Sequence, residues 1–162
     1  MFDSTMNYDF RKHCRRFFAE HSIDAAQFDG RVTNMRTHGS CPVLYGQLNL
    51  LDSHDVSRFL SLCKNELSSM KLAVLFQMTF VGIPSVFYGD EKGIDGLLEE
   101  EYRHPMPWGE SGSELERFYQ DAIQLRNTWP ELRWGDYHTV YAQKGSGMYC
   151  YCRSSDKVKI FI

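Results

Sequence analysis

NLLDSHDVSRFL, residues 49–60, is where an apolar strand, a polar cluster and the start of a helix follow one another without a break. The run from Leu48 to Leu51 has strand length, and four polar residues, Asp52, Ser53, His54 and Asp55, come directly after it. Phe59, Leu60 and Cys63 then recur at helical spacing, so the polar cluster sits where a strand hands over to a helix. In parallel α/β architectures that edge holds the active site, because its loops are freed from packing while the strands beneath hold them still.

A second stretch repeats the pattern. Gly82-Ile83-Pro84-Ser85-Val86-Phe87-Tyr88 is apolar and strand-like, and Gly89-Asp90-Glu91 ends it with two carboxylates. Four segments, MFDSTMNYDF at the start, NLLDSHDVSRFL, GIPSVFYGDEKG and the Arg103–Trp108 run RHPMPW, resemble in order and spacing the alpha-amylase superfamily of glycoside hydrolases. The likeness is to its neopullulanase, cyclomaltodextrinase and maltogenic amylase branch and extends over nearly the whole chain. It implies an α/β fold: about the last three βα units of a (β/α)8 TIM barrel, followed by the first strands of an antiparallel β-sandwich domain.

Length agrees with a partial barrel. The chain has 162 residues, whereas a complete barrel takes about 250 and at least about 200. The resemblance therefore implies a C-terminal piece of such an enzyme, with Met1 internal to the fold, and Lys159–Ile162 is an apolar strand without a stop signal. A net charge of −3 with scattered Lys and Arg gives no footprint for nucleic acid or an anionic membrane, and suits a neutral sugar. No apolar run reaches the roughly 18 to 20 residues that span a bilayer, and Asp3 and Asn7 interrupt what would be a signal peptide. Five cysteines, an odd number without paired metal spacing, read as reduced thiols of a cytoplasmic protein. Cys150 and Cys152 fall on one face of a strand, where packing accounts for them better than zinc does.

Taken in order, Phe2–Tyr8 reads as a short extended segment, and Phe10, Cys14, Phe17 and Phe18 mark one face of a helix. A second helix is predicted from Asp24 to about Arg36, with Phe28, Val32 and Met35 inward and Gly39 ending it. Ser40-Cys41-Pro42 reads as a loop. Glu66–Val81 is apolar on more than one face, which predicts a helix buried on most sides. Ser113 and Glu116 have capping-box spacing before a helix with Leu115, Phe118, Tyr119, Ala122, Ile123 and Leu125 inward; Trp129 is placed on the same face and Pro130 closes the helix. The period then changes: residues 139–143, 148–152 and 158–162 read as antiparallel hairpin strands. The division expected is 1–132 for the barrel part and 133–162 for the β-domain.

Retaining hydrolysis needs a carboxylic acid to protonate the leaving oxygen and a second carboxylate about 5 to 5.5 Å away to attack the anomeric carbon. The resemblance implies that Asp55 is the third, transition-state-stabilising carboxylate of the family and that His54 binds hydroxyls of the sugar at the cleavage point. It places the nucleophile and the acid/base on the fourth and fifth strands, upstream of Met1, so the chain alone is expected to be inactive. Asp90 and Glu91 cannot replace them, since neighbours in extended backbone point apart. Arg103 corresponds to an arginine that helps to bind the next sugar, although Glu99 and Glu100 stand where relatives carry Asp-Pro. A structural ion pair among Glu99, Glu100 and Glu101 is the other role open to it. Asn7 and Tyr8 are candidate site-wall residues, with Asp9 departing from the usual proline. Arg58 either orients Asp55 or caps a neighbouring loop, and Asp90 and Glu91 are candidate supports. The resemblance implies no cofactor, and no metal site is assigned.

Partners follow from these expectations: an α-glucan or cyclodextrin substrate, the missing upstream half of the barrel, or self-association through exposed barrel edges. Two other readings compete with an enzyme segment. One is a non-catalytic carbohydrate-contacting or partner-binding module derived from such an enzyme, and the other is an unrelated α/β domain with acids at its strand tips.

Overall fold

A computed structural model describes residues 4–37, 41–109 and 112–162, with the Cys41 side chain left aside. The expected helix stop at Gly39 and the first residues of the MFDSTMNYDF segment lie outside the described residues. The first sheet is parallel, ordered β1 (Met6–Asn7), β2 (Leu48–Leu50), β3 (Ile83–Ser85). Met6 pairs with Leu48 and Leu48 with Ile83, so the three strands start level and their C-terminal tips share one edge.

Side chains set the length of these strands. Asn7 turns the chain at once into α1 (Tyr8–Cys14) by accepting the Phe10 amide at 3.0 Å, a cap on the first turn. A π-helical turn, Arg15–Ala19, continues it. The same Asn7 donates to Asn49 Oδ1 at 2.9 Å, and Asn49 donates to the Val81 carbonyl at 2.8 Å, a side-chain ladder running across the strands. At the start of β3 Gly82 has φ +107, and a Cβ there would stand 2.7 Å from Asn49 Nδ2, so only glycine fits.

Helix α2 runs Ala25–Thr37, close to the predicted span, with Phe28 and Val32 buried. The expected loop at Cys41-Pro42 is instead the first turn of α3 (Cys41–Gly46), where a proline is tolerated because its missing N–H has no intrahelical partner anyway. Helix α4 is one turn, Phe59–Leu62, and α5 runs Leu67–Thr79. Helix α6 is one turn, Glu99–Tyr102; α7 is Glu114–Thr128 and α8 is Glu131–Trp134. Ser113 caps α7 by accepting the Glu116 amide, while Glu116 reaches back one residue further than the usual box, to the Gly112 amide. Trp129 is not on the inner face: the chain leaves the helix there and the indole is 41% exposed.

The core gathers around Phe76 of α5, whose ring meets those of Phe10, Phe18, Phe28 and Phe80 from the helical side. From the other side Tyr149 and Tyr151 meet it edge-on. These tyrosines belong to an antiparallel sheet, β4 (Asp136–Ala142), β5 (Tyr149–Ser154) and β6 (Lys159–Phe161), paired in that order. The antiparallel sheet thus shares a continuous hydrophobic core with the helices of the parallel one. Two buried arginines hold the junction. Arg126 donates to the carbonyls of Met78, Phe80, Gly82 and Leu132, and Arg153 to those of Thr79, Leu132 and Gly135. Burial and the neighbouring Arg153 pull the Arg126 guanidinium down to about 10.

Candidate active site

The polar cluster after β2 divides by depth. Asp52 continues the buried face of the strand, is 2% exposed, and its Oδ2 accepts the Phe59 amide at 2.7 Å, which closes the turn onto α4. Held from below, the tip projects His54 and Asp55 outward with side chains 68% and 59% exposed. His54 Nε2 lies 3.2 Å from Asp55 Oδ1. Ser53 braces the tip: its Oγ accepts the Asp55 amide at 3.2 Å and lies 3.1 Å from the Tyr8 hydroxyl. Tyr8 therefore touches this edge, while Asn7 is spent on capping α1 and on Asn49.

Arg103 joins the two loops. Its Nε donates to the His54 carbonyl at 3.0 Å, Nη2 stands 4.0 Å from Asp55 Oδ1, and Nη1 pairs with Glu99 Oε1 at 2.9 Å. The structure therefore brings His54, Asp55, Glu99 and Arg103 together on an open rim. Of the two roles left open for Arg103, the ion pair is present, made with Glu99 while the guanidinium stands near Asp55. A cleft of about 660 Å³ lies beside the same loop, among Ser61, Lys92, Glu101 and His104, and does not include His54 or Asp55.

Beneath the rim is a buried ion pair. Arg58, fully buried, pairs through Nη1 with Asp90 Oδ1 at 3.0 Å, and it reaches loop groups and not Asp55. Asp90 also accepts the Phe87 amide at 3.2 Å, and Glu91 is half-buried in the same turn. Burial, then the neighbouring Asp52, holds the Asp90 carboxyl well above its ordinary value, and burial raises Asp52 as well. Among the described residues Asp52 Oδ1 has no hydrogen-bond partner. A single proton between the two carboxyls would satisfy that oxygen and leave one negative charge to face Arg58, in keeping with the raised direction of both. Among the described residues no group of three or more His, Cys, Asp and Glu side chains is gathered as metal ligands.

Two participants escape sequence reasoning. Asp52 follows a run that is buried on both faces, Asn49 to Leu51, which is its one sequence signal, and its partner Asp90 lies far along the chain. The Tyr102 carbonyl, a backbone acceptor for Arg58, has none.

Parallel strands whose C-terminal tips share one edge, with His54 and Asp55 exposed after β2 and Arg103 reaching them from the next loop, have the arrangement of part of a parallel α/β barrel. The chain belongs to the alpha-amylase family: the model of the alpha-amylase catalytic domain matches residues 1–127. It is 41% identical over 155 residues to neopullulanase 2 of Thermoactinomyces vulgaris, covering 94% of this chain and 26% of that protein. To a cyclomaltodextrinase of Thermoanaerobacter pseudethanolicus it is 40% identical over 143 residues, covering 87% and 25%. An intracellular maltogenic amylase of Bacillus subtilis is 32% identical over 132 residues, covering 82% and 22%. A solved cyclomaltodextrinase superposes with a TM-score of 0.96 at 35% identity, over 100% of this chain and 28% of that one. The chain thus spans about a quarter of the length of the curated relatives it matches. The fold is accordingly a partial (β/α)8 barrel followed by the opening antiparallel strands of the next domain. Among the described residues no helix is long and apolar enough to cross a membrane.

Proposed function

We propose that the chain supplies the last part of the catalytic barrel of a retaining glycoside hydrolase acting on α-glucosidic bonds of maltooligosaccharides, cyclodextrins or pullulan. Residues 1–132 form the barrel part and 133–162 begin the following β-domain. In this reading Asp55 stabilises the positive charge that develops on the sugar ring. His54 binds hydroxyls of the sugar being cleaved, and Arg103 with Glu99 binds the next one. Tyr8 and Asn7 stand at the wall, and Arg58, Asp90 and Glu91 support the rim.

One observation carries the proposal: Arg103 spans His54, Asp55 and Glu99, so residues from two separate strand tips present one polar surface. The names of the relatives support the substrate class, and the name of the Bacillus subtilis relative supports a cytoplasmic setting. Free thiols at Cys14, Cys63, Cys150 and Cys152 agree with that setting.

The nucleophile and acid/base are assigned to upstream strands, so the polypeptide alone is inactive and its partner is the upstream half of the barrel. The test replaces the matching quarter of neopullulanase 2 with these residues and follows reducing-sugar release from β-cyclodextrin and pullulan. The chimera is expected to hydrolyse them, to lose at least about 100-fold in kcat with Asp55→Asn, and the isolated chain to release nothing. Release by the isolated chain that survives Asp55→Asn would overturn the assignment.

A further inference from the structure

The loop joining β3 to α7, residues 86–113, bears Glu99 and Arg103, yet α6 is the only helical turn among its described residues. Regular structure therefore does little to fix where Arg103 lies. Side chains do so, Ser57 at Leu97, Ser61 at Gly96 and Glu99 on Arg103 itself among them, and Arg58 holds the loop at the most points. Its Nη1 donates to the Tyr88 carbonyl at 2.7 Å and pairs with Asp90, its Nε donates to the Tyr102 carbonyl at 2.9 Å, and its backbone amide donates to Gly96 at 2.9 Å. One fully buried residue thus takes the first two-thirds of the loop at three points, Tyr88, Gly96 and Tyr102. The guanidinium carbon stands over the Phe87 ring, 4.2 Å from its centroid, a cation–π contact that adds to the hold on the fork. Arg103 follows the carbonyl that Arg58 grips, and from there it reaches His54 and Asp55.

We propose that Arg58 is a positioning residue for sugar binding: through the Tyr102 carbonyl it sets Arg103 against His54 and Asp55, and so governs affinity for the sugar next to the cleaved bond. The substrate in this inference rests on the hydrolase reading, whereas the grip on the loop rests on the geometry alone. Lysine at this position keeps the charge facing Asp90, but one ammonium on a flexible stem cannot reproduce a planar fork that serves two carbonyls in different directions.

Two measurements test it. In the 162-residue chain, Arg58→Lys is expected to speed amide exchange at least tenfold across residues 97–106 while α5 and β5 keep their protection. In the neopullulanase 2 chimera, Arg58→Lys is expected to raise KM for maltohexaose about tenfold or more with kcat changed less than about threefold. The KM effect of Arg58→Lys with Arg103→Ala should not exceed that of Arg103→Ala alone, as two residues acting in one path require. A purely structural role would lower the active fraction, hence kcat, and leave KM alone. Unchanged exchange in the loop, or KM effects that multiply, would overturn the proposal. Loss of hydrolysis sensitivity to Asp55→Asn would overturn the hydrolase reading while the exchange result still judged the grip. Arg58→Met with Asp90→Asn removes both charges together and must give the same loop exchange, so that an unpaired buried carboxylate is not mistaken for the effect.

Discussion

Arg126 and Arg153 share one acceptor: each donates from Nη1 to the Leu132 carbonyl, at 3.0 and 2.9 Å. One guanidinium comes from the last long helix and the other from the middle strand of the antiparallel sheet, so Leu132 is pinned from both. The remaining bonds of Arg153 go to Thr79, at the C-terminal end of α5, and to Gly135, just before β4. Charged donors suit these places, because carbonyls at a helix end have no partner in the helix. Arg153→Met leaves the Thr79 and Gly135 carbonyls buried without that donor, at about 1–3 kcal/mol each. The expected loss is about 2–4 kcal/mol in urea unfolding, with the midpoint moved and the slope unchanged. A change below about 0.5 kcal/mol would show that the junction does not depend on this side chain.

Asp52 and Asp90 give the protein a definite acid response. Both carboxyls are held above the ordinary value of 3.8, so the folded state binds more protons than the unfolded chain as pH rises past that value. Their contribution to stability is therefore fully present below about pH 4 and is lost as pH climbs through the raised values. Asp52→Asn places an amide donor beside Asp90 and keeps an oxygen for the Phe59 amide. It is expected to flatten the fall in unfolding free energy between about pH 4 and 7. Denaturant titrations across that range check it, and an unaltered slope would mean that the pair does not share a proton.

Phe76 is the ring through which the helices and the antiparallel sheet meet. Truncation to alanine removes contacts with aromatic neighbours on both sides and leaves a cavity in a close-packed region. A loss of about 3–5 kcal/mol is expected, read by thermal or urea unfolding. Collapse of the surroundings onto the space would show as a loss below about 2 kcal/mol and would mark a more plastic core than the stacking suggests.

Gly82 gives a sharper test of backbone fit. Alanine there meets both a left-handed φ of +107 and contacts of 2.7 Å to Asn49 Nδ2 and 2.9 Å to the Gln47 carbonyl. The Asn7–Asn49–Val81 ladder has to shift, so Gly82→Ala should cost about 2 kcal/mol or more. A loss near that of an ordinary surface substitution would show that β3 can move at its start.

Much of this architecture is legible in the residues. The helix predicted from Asp24 lies at Ala25–Thr37 because Phe28 and Val32 bury at helical spacing. The hairpin strands emerge because Gly145 and the Ser154–Asp156 turn interrupt alternating segments. What is missed follows from contacts distant in sequence. Pro42 reads as a breaker, yet it sits in the first turn of α3. Periodicity counts apolar residues, so it turns Leu125 inward, where the structure leaves Leu125 36% exposed and buries Arg126 instead. The exposed position of His54 and Asp55 at a strand tip is legible because polar residues follow an apolar strand without a gap. The arrangement of Asp52, Arg58 and Asp90 is not, since it depends on partners brought in by the fold.

The grip of Arg58 on backbone oxygens has a consequence for how such a loop can diverge. Tyr88, Gly96 and Tyr102 are held by groups that every amino acid possesses, so at these three points the hydrogen bonds are indifferent to side chains, while Asp90 and Phe87 meet Arg58 through theirs. An exposed residue such as Glu100 can be exchanged without letting the loop drift from the strand tip. Recognition chemistry on the outer side can then be rewritten one position at a time, on a frame whose fastening stays the same.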